Sequence, residues 1–220
     1  MKRVIAGAGL AVWGVVNALA QTEGTRPVRA WLLYGGHGFP TNALFETMRS
    51  LPGVRLEIGR LPDALERLKP GLEREFDVVV RYDMFRGGSA EQVRAFRELI
   101  RSGAGLVALH HAIAAHPDVP EYAELIGGTY LFKPRTIAGR EWPASSYSHG
   151  EQVPVRVADR DHPITRGLED FVIHDETYGG LWVAPDVHVL LTTAHPKASP
   201  QITWVREEGR GRVVYIQLGH

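Results

Sequence analysis

The first half of the chain alternates short apolar runs with amphipathic segments, and that alternation limits the folds open to it. Val28 to Tyr34 is an apolar run ending in Gly35-Gly36, the pattern of a buried strand and a turn. Thr41 or Asn42 is placed to cap a helix over residues 43–50, which Pro52-Gly53 ends. Val54 to Ile58 alternates as a second strand, and Phe76 to Arg81 reads as a third. Ser89 followed by Gln92 is a capping box for a helix to about Ser102, with Val93, Phe96, Leu99 and Ile100 on one face. Gly105 to Leu109 is apolar apart from its glycine, so it predicts a central strand covered on both faces. A helix from Pro120 to Ile126 stops at Gly127-Gly128. Strands alternating with helices in this way predict an α/β fold on a parallel sheet with helices on both sides.

The second half is richer in strands. Val153–Val157, Phe171–Ile173, Val187–Thr192, Ile202–Val205 and Arg212–Leu218 read as strands, some extending the sheet and some forming an antiparallel appendage. Residues 133–150 show no clear period and predict a long loop, a feature that often carries function.

In open α/β sheets, ligands bind beyond the carboxyl ends of the strands. Four predicted strands end in imidazoles or carboxylates: His37 after the first, His110-His111 after the fourth, His174-Asp175-Glu176-Thr177-Tyr178 after residue 173, and His220 after the last. Such a set suits zinc, or another divalent metal, and general acid–base chemistry. The reading assigns catalysis to His110, His111, Asp175 and Glu176, with Glu176 as general base. His37, Tyr147, His149 and Tyr178 are expected to contact substrate, and His37, His110, Glu176 and His220 to hold the metal. Because side chains alternate along a strand, one of His110 and His111 is expected to face the site and the other the core. The same expectation applies to Asp175 and Glu176. Within the predicted loop, Arg140, Trp142, Tyr147 and His149 could form a sugar-binding wall.

Several chemistries are excluded. The chain has no Cys, so disulfides, thiol catalysis and Cys-ligated zinc are unavailable. Thr41 stands where the third glycine of a dinucleotide fingerprint would fall, and there is no phosphate-binding P-loop, H-E-x-x-H or G-x-S-x-G motif. No nucleotide cofactor is therefore expected. No basic run or stripe suggests nucleic acid as a partner.

Five segments resemble the ThuA-like (trehalose utilisation) family: Gly105 to Ala112, Tyr122 to Gly128, Asp161 to Leu168, Asp175 to Tyr178, and Gly209 to His220. The resemblance covers roughly residues 28–220. It implies a class I glutamine amidotransferase-like fold: a flavodoxin-like three-layer sandwich with a mainly parallel central sheet, here with a β-rich C-terminal half. In amidotransferases a nucleophilic Cys sits on a sharp turn after a central strand. The comparable turn here is Leu109-His110-His111-Ala112, so the amidotransferase reaction is not inherited. The resemblance implies action on disaccharides or 3-keto sugars, with a metal near the histidines. A non-catalytic carbohydrate-binding or accessory domain is the alternative. Similar proteins continue past the final Gly-His into a helix, and this domain is expected to lack it.

The N-terminus reads as a cleavable signal peptide over residues 1–20. Lys2 and Arg3 form a basic start, Val4 to Ala18 an apolar run, and Ala18-Leu19-Ala20 a small-x-small cleavage site. Residues 21–27 form a short leader. Export to the periplasm or beyond is expected, with no membrane span after cleavage. Removing the two cations leaves a net charge of −2. The expected partner is a small sugar, and the oligomeric state is left open.

Overall fold

The computed structural model describes residues 26–220. The predicted signal peptide and most of the leader lie outside the described residues. Among the described residues, no helix is long and apolar enough to cross a membrane.

Strand β1 (Val28–Gly35) leads into helix α1 (Thr41–Arg49), β2 (Val54–Arg60) and two short 3-10 turns, then β3 (Val78–Asp83). Helix α2 (Ala90–Arg101) follows and begins with the predicted capping box, in which Ser89 Oγ accepts from Gln92 N–H while the Gln92 side chain accepts from Ser89 N–H. Strand β4 (Gly105–Leu109) has the predicted bounds and opens into a 3-10 turn over His110–Ala114. Helix α3 (Pro120–Ile126) also has its predicted bounds and ends on Gly127 at φ 77°, a left-handed cap that suits glycine. Then come β5 (Gly128–Thr129), β6 (Arg135–Ile137), β7 (Arg140–Trp142), β8 (Ser146–Val157), β9 (Phe171–Gly179), β10 (Trp182–Val183), β11 (His188–Thr193), β12 (Gln201–Glu208) and β13 (Gly211–Ile216).

Nine of these strands form one mixed sheet in the order β2-β1-β3-β4-β13-β12-β11-β8-β9. From β2 to β13 all neighbours are parallel, and from β13 to β9 all are antiparallel. The sheet is therefore less parallel than expected. The reason is chain length: β12 and β13 are joined by a tight turn at Gly209-Arg210, which permits only antiparallel pairing, whereas β3 and β4 are separated by a helix.

The central strand is covered on both faces, as its composition predicts. Leu106 and Ala108 join a core with Val93, Phe96 and Ile100 of α2 and Leu125 of α3. Val107 and Leu109 point the other way, into a core with Met48 of α1. Beyond β13, the second core is closed by Ile164 and Leu168 of a loop rather than by a helix. The layered α/β arrangement thus belongs to the parallel half.

Two local expectations fail. Neither Thr41 nor Asn42 caps α1; the helix starts at Thr41 after Pro40, with no side-chain cap. Residues 133–150 are not a long loop. They contain the β6–β7 hairpin and the first part of β8, whose pairing depends on partners distant in sequence.

Candidate functional site

The site is assembled from three segments at the carboxyl ends of the parallel strands β1, β4 and β13 plus one hairpin. After β1, Gly36 adopts φ 81°, and a Cβ there would lie 2.3 Å from the Met84 carbonyl carbon. Only glycine lets the chain pass this close, and the passage sets His37 beside the end of β4. After β4, His110 takes φ 48°, a left-handed conformation that is strained for a residue with a Cβ. The sharp turn ends strand alternation at Leu109. His110 and His111 therefore share the site, with ring centroids 4.2 Å apart, instead of facing opposite ways as expected.

Strand β9 runs through Tyr178, further than the sequence suggested, so Asp175 to Tyr178 lie within a strand. Strand β8 pairs with β11 only through Val155–Val157, while most of its length pairs with β9 alone. This β8–β9 hairpin reaches the ends of β4 and β13. Glu176 and Tyr178, two residues apart, point into the cluster. Asp175 alternates away, and its carboxylate accepts from three backbone N–H groups: Glu176 at 2.7 Å, Gly219 at 2.9 Å and His220 at 3.0 Å. The Tyr82 hydroxyl donates to Gly219 O at 3.0 Å, holding the same segment. His220 is thereby fixed over Glu176.

One group among the described residues has the spacing of a metal site: ligand atoms of His110, His111, Glu176 and His220 all lie within 4.8 Å of one another. Three of the four expected metal ligands are in it. His111 takes the fourth place rather than His37, whose ring lies 4.0 Å from that of His111. His110 Nδ1 meets Gln217 O, so this nitrogen carries the proton and Nε2 keeps its lone pair. The Tyr178 hydroxyl donates to that Nε2 at 2.9 Å. His149 Nδ1 and His220 Nδ1 stand 2.9 and 3.0 Å from Glu176 Oε2, yet neither is aligned for a hydrogen bond. Glu176 Oε2, His111 Nδ1 and both nitrogens of His37 are buried without hydrogen-bond partners.

Burial sets the charges. It lowers His110 to about 3 and His111 to about 2, with neighbouring imidazoles adding to the effect. His37 is lowered for the same first reason. Burial raises Glu176 above the usual carboxylate range, opposed by His220 and His149. Asp175 is raised by burial against the pull of its three backbone donors. The buried imidazoles are thus neutral near pH 7, the form that ligates metals.

The donors fit a divalent cation. Three imidazole nitrogens and one carboxylate oxygen match zinc's preferences. Bonds near 2 Å would draw the ligand atoms to within about 4 Å of one another, a contraction of about an ångström. An unpaired buried polar atom costs about 1–3 kcal/mol, and a ligand that satisfies several at once recovers that cost.

The other expected contacts are scattered. Tyr178 is buried in the cluster, and His149 edges it while exposed to solvent. Tyr147 is 61% exposed, with its ring 5.2 Å from that of His149. Arg140 stacks on Trp142 in the β6–β7 hairpin, a sheet separate from the one whose strand β8 carries Tyr147 and His149.

Sequence reading missed a buried support beneath the site. Arg81 and Asp83 on β3 are 1% and 0% exposed and form a bidentate pair at 2.8 and 2.7 Å. Arg81 Nη2 also lies 3.1 Å from His116 Nε2, and His116 Nδ1 meets Gly87 O at 2.6 Å. The turn that carries His110 and His111 is thereby tied to β3. The only signal in the sequence was two charges inside an otherwise apolar strand.

The sequence model of the ThuA family, described as "Trehalose utilisation", matches residues 68–220. No curated protein sequence matches the chain. In structure it is similar to a protein described as ThuA-like from Parabacteroides merdae, with a TM-score of 0.69 and 17% identity over 89% of this chain and 80% of that one. A second, from Bacteroides uniformis, gives 0.59 and 19% over 90% and 85%. A protein from Thermoplasma acidophilum described as part of a GMP synthase gives 0.52 and 11% over 89% and 85%. At these identities the structural likeness is one of fold alone. The family match covers well over half of the sequence and includes every member of the His/Glu group, so the chain belongs to the ThuA family.

Proposed function

We propose that this is an exported protein of carbohydrate metabolism that acts on a disaccharide or 3-keto sugar at a divalent metal site. The ligands are His110, His111, Glu176 and His220, and zinc is the first candidate. The observation that carries the proposal is the convergence of these four donors, with Glu176 Oε2 and His111 Nδ1 buried and without hydrogen bonds. The family's description as trehalose utilisation supports a sugar as the substrate. The basic start, apolar run and Ala18-Leu19-Ala20 site support export.

A bound divalent metal would supply Lewis-acid polarisation of a sugar carbonyl or hydroxyl oxygen. The protein's own groups do the rest. Gln217 O fixes the His110 tautomer. Asp175 positions His220 through two backbone N–H groups, a positioning role in place of the catalytic one expected from sequence. The Tyr178 hydroxyl, which donates to His110 Nε2 here, would be free to donate to a substrate oxygen once that nitrogen held a metal. His149, close to Glu176 Oε2 and open to solvent, is placed to contact a substrate entering from water. His37, with both ring nitrogens free of hydrogen bonds, offers a donor or acceptor to a sugar hydroxyl.

The test is elemental analysis and zinc titration of the purified protein, followed by turnover of 3-keto disaccharides. We expect one equivalent of metal, lost in Glu176→Ala and His111→Ala together with turnover. A wild-type protein that binds no divalent metal, or variants that turn over normally, would overturn the assignment.

A further inference from the structure

A second cluster of side chains adjoins the His/Glu group and takes no part in it. A pocket of about 270 Å³ is lined by Arg86, Asp118, Tyr130, Phe132, Lys133 and Arg135, among others. Three cations there face one carboxylate. Arg135 is partly committed, donating to Pro117 O at 2.9 Å with Asp118 4.0 Å away. Arg86 and Lys133 form no ion pair among the described residues. The Arg86 guanidinium lies 3.9 Å from the Phe132 ring centroid. Stacked this way, its face is occupied while its in-plane N–H donors stay available to a planar or tetrahedral oxyanion.

The aromatic wall leads to the site. Phe132 is 40% exposed, and its ring lies 5.1 Å from that of Tyr130. Tyr130 packs edge-on against Tyr178 at 5.8 Å, and the Tyr178 hydroxyl reaches His110. The pocket's Tyr130 is therefore separated from His110 by one ring, that of Tyr178. Two cations line this pocket without a carboxylate partner among the described residues, and one of them stacks on its exposed ring. They are suited to a ligand that brings both negative charge and a C–H face.

We infer that this pocket is an oxyanion subsite, and that the sugar this protein takes carries a carboxylate or phosphate held by Arg86 and Lys133 while its ring lies along Phe132 and Tyr130. The inference rests on the reading of the site as one for sugars, but not on the metal. Charge-assisted hydrogen bonds to Arg86 and Lys133 would give the anionic sugar its affinity and make that affinity fall with added salt.

Calorimetry on the purified protein tests this with glucuronate, glucose 6-phosphate, inorganic phosphate and neutral glucose. Both anionic sugars should bind at least about tenfold more tightly than glucose, and the tighter of the two identifies the oxyanion. Inorganic phosphate should compete with them. The Arg86→Ala/Lys133→Ala double variant should lose about tenfold to a hundredfold in affinity for the anionic sugar while keeping its zinc affinity. Phe132→Ala, which keeps both charges, should weaken the sugar but not inorganic phosphate. Equal binding of glucose and the anionic sugars, no binding of either anionic sugar, or full affinity in the double variant would overturn the inference. If Glu176→Gln loses zinc but still binds the anionic sugar, the subsite stands whatever the metal does.

Discussion

Asp175→Ala should weaken metal binding without removing a ligand. Asp175 Oδ2 and Oδ1 accept from Gly219 and His220 N–H at 2.9 and 3.0 Å, in a position only 5% exposed. A hydrogen bond to a charged group contributes about 1.5–3 kcal/mol, so removing the carboxylate withdraws at least about 3 kcal/mol from the docking of this segment. The Tyr82 hydroxyl still holds Gly219 O, and Gln217 N–H still donates to Ile202 O, so the strand below should stay in place. What is lost is the fixed position of the His220 ring over Glu176. Loss of a group that orients a ligand typically costs 10- to 100-fold in metal affinity, or about 1.4–2.8 kcal/mol. A competition titration with a chromophoric chelator should show that loss for Asp175→Ala and a similar one for His220→Ala. The double variant should be no weaker than the worse single one, because both changes act through the same ligand, His220. Unchanged affinity in Asp175→Ala, or losses that multiply in the double variant, would refute this account of Asp175.

Arg81→Met should destabilise the protein by about 3–5 kcal/mol in urea unfolding, because it leaves Asp83 buried and unpaired, and adding Asp83→Leu should recover most of that. If the single variant is as stable as wild type, the pair does not support the site. Gly36→Ala should cost more than about 2 kcal/mol, since its Cβ would meet the Met84 backbone at a positive φ. Gly53→Ala, also at positive φ but with open space around it, should cost only about 1 kcal/mol, and equal costs would contradict the packing argument. Burial alone would raise Glu208, but hydrogen bonds from Arg97 and Arg101 outweigh it and hold its carboxyl below the usual range. Its folded-state affinity for protons is therefore lower than in the unfolded chain. The stabilisation is present above the ordinary carboxylate value of about 4.3 and is lost as pH falls through the lower folded value. Urea midpoints of wild type and Arg97→Ala should converge on acidification from about pH 7 to about pH 3. A constant gap would show that Arg97 acts through packing alone.

Some elements were legible in the sequence because their signals are local. The capping box at Ser89 and Gln92, the Pro120 start and Gly127 stop of α3, and the apolar run Gly105–Leu109 all fix their own boundaries. Turn and cap chemistry acts over three or four residues, so short-range pattern suffices. The hairpin at residues 135–142 and the extension of β9 through Tyr178 were not legible, because their backbone groups find partners across the hairpin instead of in a local period. The divergence of Asp175 and Glu176 was legible from strand alternation, one step sending Glu176 to the imidazoles and Asp175 to the backbone of Gly219 and His220, but which of the two faces the site was not.

The sequence by itself determined the α/β class, the absence of thiol chemistry, the family, and the residue types that cluster after the strands. The class and the lack of thiols follow from composition and short-range order, and the family from the segments that resemble it. Only the tertiary structure decided that His110 and His111 share one site, that His111 joins the ligand group beside which His37 stands, and that the β8–β9 hairpin brings Glu176 to them. The physical reason is that a metal-like geometry depends on ångström separations between residues up to 110 positions apart. Those separations are set by sheet order, by one left-handed turn at His110 and by the buried Arg81–Asp83 pair beneath it.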